Sequence, residues 1–78
     1  MGLFHRIPGE IQEVVIKSSS KCAGTAISNL KLPRGSIVAA VQRDNDGFVP
    51  TGQDILQKGD RLAIYCLPET AGRVKSAF

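Results

Sequence analysis

The sequence predicts a small α+β domain: a four-stranded, largely antiparallel or mixed sheet in the order β-α-β-β-β-α, covered by two short helices and completed by dimerisation. Two observations carry this. The stretch Leu30–Leu67 reads as three strands joined by two turns whose residues state their own turn chemistry. A chain of 78 residues buries a thin core, so apolar surface is left for a partner to cover.

Taken in order, residues 1–9 read as a leader or linker remnant, because Pro8-Gly9 is a break and nothing before it shows a period. The domain proper is then 10–78. Glu10 to Lys17 alternates and then turns apolar, which is a first strand. Ser18-Ser19-Ser20 is a loop. Thr25 to Leu30 places Ala26, Ile27 and Leu30 at helical spacing, and Leu32-Pro33 ends that element because the residue before a proline is pushed out of the helical region. Ser36 to Arg43 is a β-branched and small-apolar run suited to a buried strand. Asp44-Asn45-Asp46-Gly47 follows, and its Asp-Gly pair suits the positive φ angles of a tight hairpin. Phe48-Val49-Pro50 begins the return strand, with Pro50 confined to an edge or a strand end for want of an N–H. A short helical turn is expected near Asp54 to Gln57, then a turn at Gln57-Lys58-Gly59-Asp60 and an apolar strand from Arg61 to Leu67. Pro68-Glu69 opens a last helix, with Ala71, Val74 and Phe78 on one face.

Composition narrows the function. No apolar run approaches the roughly 20 residues of a membrane span, and the N-terminus lacks the apolar core of a signal peptide. Arg6 stands where a myristoylation site needs Ser or Thr. A soluble, cytosolic chain is the expectation. The net charge of +3 is mild; its Lys and Arg are spread from Arg6 to Lys75 with acids among them, the mark of a solvated surface rather than of a nucleic-acid stripe.

Catalytic and metal patterns are absent from the sequence. There is no glycine-rich nucleotide loop and no zincin motif. Cys22 and Cys66 are too few and too far apart for a zinc site, and His5 lies in the leader. Asp44, Asp46, Asp54 and Asp60 read as turn acids bonding nearby backbone N–H groups. No enzyme activity, metal or cofactor is expected of this domain. Arg43 is the polar residue that stands out. At the end of a buried-looking strand, it suits either an ion pair with an acid such as Asp44 or Asp46, or contact with a phosphate or carboxylate ligand.

In combination, Gly24-x-x-Ile27-x-x-Leu30-x-Leu32-Pro33-x-Gly35, Ile37-Val38-Ala39-Ala40-Val41-x-Arg43, Pro50 and Leu56-x-x-Gly59-Asp60-x-Leu62 resemble the C-terminal RCK domain, the TrkA-C family. These are modules of the cytosolic regulatory subunits of potassium channels and Trk/Ktr uptake systems. The resemblance implies a non-enzymatic regulatory domain that forms a homodimer, works with a membrane potassium channel or transporter subunit, and binds an anionic nucleotide-type ligand, in some relatives a cyclic dinucleotide. Ile37, Val38 and Arg43 match the pocket strand of such relatives, and Pro50 lies near it. Such regulators carry an N-terminal Rossmann domain that binds NAD or ATP. The chain has none of its glycine-rich loop, so it is expected either as a piece of a longer protein or as a module that stands alone. Two other classes stay open: a purely structural dimerisation module, and a nucleic-acid binder.

Overall fold

The computed structural model describes residues 8–78. Its centre is a four-stranded sheet, wholly antiparallel, in the spatial order β1-β4-β2-β3. The strands are β1 (Glu10–Val15), β2 (Ser36–Arg43), β3 (Asp46–Phe48) and β4 (Arg61–Cys66). The central place in the sheet falls to β4, between β1 and β2. Residues 1–7, most of the expected leader and His5 with it, lie outside the described residues.

β4 pairs along its whole length with β1, Ile11 facing Tyr65 and Val15 facing Arg61, and with β2, Ile37 facing Tyr65 and Gln42 facing Arg61. A register shift between Val38 and Ala40 inserts Ala39 as a bulge in β2. One face of the sheet carries Val14, Val41, Leu62, Ile64 and Cys66, all buried, with Ile16, Cys22, Leu56 and Val74 packed into the same core. Fully burying an aliphatic side chain such as Ile64 stabilises the fold by about 2–3 kcal/mol.

The helical cover differs from expectation. Where short helices were expected, the chain makes tight 3-10 turns, at Ile27–Asn29 and then at Pro68–Arg73 and Lys75–Ala77. Each segment is too short to repay the cost of nucleating an α-helix, and Gly72 interrupts the longest. They serve the core all the same, since Ile27, Leu30, Ala71 and Phe78 pack against it. No helical turn forms at Asp54 to Gln57. There Ile55 makes an isolated bridge with Ala26, and the Asp54 carboxylate accepts the Thr51 N–H at 2.7 Å.

The hairpin is also tighter than expected. Arg43 pairs directly with Asp46, so the loop is Asp44-Asn45 alone and Gly47 sits within β3. The positive φ is taken by Asp44, at 55°, a value that short acids tolerate better than most side chains. Pro50 follows the edge strand and is half-buried.

Candidate functional site

The best-organised polar cluster lies where β2 ends and β4 begins. Arg43 donates from Nε to Asp60 Oδ1 and from Nη2 to Asp60 Oδ2, each at 2.9 Å, a bidentate pairing. Nη2 also reaches the Ile55 carbonyl at 2.9 Å, and the Gln57 N–H donates to Asp60 Oδ2 at 2.8 Å. The guanidinium carbon sits 5.3 Å from the centroid of the Phe48 ring. The arginine thereby ties the end of β2, the edge strand β3, the Ile55–Gln57 segment and the start of β4 into one corner.

Asp60 is 1% exposed, whereas the Arg43 side chain keeps 30% of its surface in solvent. A carboxylate buried that deeply is tolerable only because its charge and its lone pairs are matched. The hydrogen bonds from Arg43 hold the Asp60 carboxyl below the usual carboxylate range, against the opposing pull of burial. The same bonds push the Arg43 guanidinium higher still. Backbone geometry sets up the pair. Gly59 turns the chain at a φ of +93° and donates its N–H to the Ile16 carbonyl at 2.7 Å, and the Ile16 N–H donates to the Asp60 backbone carbonyl at 2.8 Å.

Arg43 therefore has an internal partner, and the partner is neither Asp44 nor Asp46 but Asp60. Reading Asp60 as an ordinary turn acid overlooked a signal in the sequence. An acid placed one residue before a strongly apolar strand is drawn into the core, and it then needs a cation within reach.

The other residues expected at the site do not gather around Arg43 within one chain. Ile37 and Val38 are neighbours in β2 and so point to opposite faces. Ile37 is 60% exposed on the face away from the core, and Val38 packs against the core. Arg43 lies six residues further along β2, about 20 Å away at strand spacing. Cys22 and Cys66 are free and buried, and burial is the leading cause that pushes both thiols up.

The outward face has a different character. By register it carries Ile11, Glu13 and Val15 from β1, Arg61, Ala63 and Tyr65 from β4, and Ile37, Ala40 and Gln42 from β2. An open depression of about 420 Å³ lies over Ala40 and Ala63, bordered by Ile11, Glu13, Gln42 and Arg61. The segment entering β1 closes one end. The Tyr65 hydroxyl donates to the Pro8 carbonyl at 2.7 Å, and a Cβ at Gly9 would run into the Tyr65 ring. Among the described residues no three His, Cys, Asp or Glu side chains come together as a metal site, and no helix is long and apolar enough to cross a membrane.

The small antiparallel sheet shares its fold with a solved RCK domain. A solved structure described as "Structure of RCK domain with cda" superposes with a TM-score of 0.74 at 24% identity, over 87% of this chain and 96% of the other. The TrkA-C domain model matches residues 11–78, and the chain belongs to that family. It is 36% identical over 69 residues to Trk system potassium uptake protein TrkA homolog 2 of Methanosarcina mazei, covering 88% of this chain and 15% of that protein. The TrkA homolog of Archaeoglobus fulgidus is 33% identical over 69 residues, 88% of this chain and 16% of the relative. TrkA of Streptomyces coelicolor is 31% identical over 70 residues, 90% of this chain and 31% of the relative. The chain thus spans 15% to 31% of the length of these curated relatives.

Proposed function

We propose that this chain is a regulatory, non-catalytic module of a Trk-type potassium uptake system, acting in the cytoplasm on a membrane transporter subunit. It works as a homodimer and senses a small anionic ligand of nucleotide type. In the parent protein it follows a Rossmann domain that binds NAD or ATP. The observation that carries this reading is the TrkA-C match over residues 11–78, together with relatives named as Trk potassium uptake proteins. A neighbour of like fold whose description includes "with cda" supports a ligand for this type of domain.

Arg43 fits the ligand role by what it leaves free. Nε and Nη2 are committed to Asp60 and Ile55, so the arginine is held in place, and its side chain still has 30% of its surface in solvent. A guanidinium fixed on one edge and open on the other is preorganised to meet a phosphate. Two-fold pairing of chains would bring together residues that one chain holds apart, Ile37 and Arg43 among them. Ligand binding across such an interface couples affinity to subunit geometry, which is how a ligand biases a gate.

Calorimetry of the chain with a panel of nucleotides and cyclic dinucleotides tests this. Heat from at least one of them, lost in Arg43→Lys while the fold is retained by circular dichroism, is the expected result. No heat from any member of the panel overturns the sensing role and leaves a structural dimerisation module. Salt-dependent retention of DNA or RNA in its place would overturn both in favour of nucleic-acid binding.

A further inference from the structure

We infer that the roofed side of the sheet holds an anion pocket of its own, built by Lys21 and Lys31 and taking a small organic phosphate of mononucleotide size. It shares no lining residue with the Arg43 corner, so it stands independently of the sensing role proposed above.

The pocket, about 350 Å³, opens between the 21–31 segment and the last turn, where Ser76 and Ala77 form the far rim. Its floor is apolar, for Cys22 is 3% exposed and Leu30 packs against the core. Around that floor stand two cations, with Thr25 and Asn29 adding a hydroxyl and an amide, and no acid lines it. Other depressions differ. The one over the outer face sets Glu13 beside Arg61, and the one along β1 sets Glu10 and Glu13 beside Lys75. All seven acids of the chain, from Glu10 to Glu69, lie among the described residues, and none of them pairs there with Lys21 or Lys31. Two like charges beside one cavity repel each other, and an anion between them relieves that repulsion.

Chemistry and size choose the occupant. Lysine ammonium groups bind phosphate as point charges, and two of them match a dianion better than a single carboxylate. The apolar floor takes a sugar or base, and a volume at the low end of ligand pockets suits one nucleotide rather than two. The wall is held before a ligand arrives. The Thr25 N–H donates to the Cys22 carbonyl at 3.0 Å, the Gly24 N–H to the Leu56 carbonyl at 2.8 Å, and the Leu56 N–H to the Thr25 carbonyl at 3.0 Å. Ser76 is fixed as well, its hydroxyl donating to the Arg73 carbonyl at 2.7 Å. A preformed wall leaves chiefly the two lysine side chains to be ordered on binding.

Amide chemical-shift titration of the chain with AMP, inorganic phosphate and adenosine tests this. AMP moves the amides of Cys22, Thr25, Asn29 and Lys31 saturably, phosphate moves them more weakly, and adenosine, which lacks the charge, does not saturate. Lys21→Gln combined with Lys31→Gln weakens AMP binding by about tenfold or more, with the fold intact because both positions are exposed. Arg61→Gln, which removes a charge from the opposite face, leaves the titration unchanged. Saturable shifts that survive the double lysine variant overturn the pocket, as does adenosine saturating as well as AMP. Shifts confined to the surroundings of Arg43 and Phe48 overturn it and leave the sensing role standing. No saturable shift with either AMP or phosphate overturns it outright.

Discussion

The two faces of one sheet obey different rules. On the inner face Leu62, Ile64 and Cys66 of β4 are completely out of solvent under the 3-10 turns and loops. On the outer face the alternate residues of the same strands, Ile11 and Ile37 among them, have no such roof among the described residues. Strands that are apolar on both sides belong between two layers. The inner face should therefore govern whether the chain folds, and substitutions on the outer face should be tolerated.

The largest effect expected is on the inner face. Ile64→Ala should cost about 3–4 kcal/mol, most of the stability of a domain this size. Ile64→Val should cost about 1 kcal/mol and can be measured beside it by urea denaturation. An intact urea transition in Ile64→Ala would mean that the core does not depend on this packing.

Next comes the buried ion pair. Asp60→Asn leaves Arg43 facing a neutral group and should cost about 3 kcal/mol at neutral pH. The sign of its pH dependence follows from the direction of the shift. Asp60 titrates lower in the folded state than in the unfolded one, so its contribution is fully present above the ordinary Asp pKa of about 4. That contribution is lost as pH falls through the depressed folded value. Wild type should lose stability steeply in acid and Asp60→Asn should lose less, read as melting temperature against pH. Parallel curves would break the argument.

Gly59→Ala should cost about 1–2 kcal/mol, since a φ of +93° strains any residue with a Cβ. Nothing lies within 4 Å of the place where that Cβ would go, so the cost is conformational alone. Replacing Gly59 by Asn, which tolerates positive φ better, should recover part of it in the same denaturation assay.

The smallest effect expected on folding is on the outer face. Ala63→Glu should change the stability of the chain by less than about 0.5 kcal/mol, read by urea denaturation. A large loss of fold stability would reverse the roles assigned to the two faces.

The strands were legible because β2 and β4 declare themselves by composition, and β2 is observed over the residues expected, Ser36–Arg43. The helices were misread because apolar spacing at Ala26, Ile27 and Leu30 looks the same whether the chain makes a full α-helical turn or a tighter one. Segment length, set by neighbouring packing, decides between them. The hairpin was displaced because Asp-Gly suits positive φ so well that the less permissive Asp44 was passed over, and strand register overrode the local preference. Of the site, Arg43 was found and its partner missed. Nothing local ties position 43 to position 60, and only the pairing of β2 with β4 brings them together. The outer face was hidden for a related reason. Bulged and apolar on both sides, β2 does not reveal which of Ile37 and Val38 faces the core until Ile64 and Tyr65 are set opposite them.

The most direct test of the sensing role is calorimetric titration of the chain with nucleotides and cyclic dinucleotides beside the Arg43→Lys variant. Saturable heat in the wild type that the variant loses with its fold intact is the predicted result. Absence of heat with every member of the panel would contradict it.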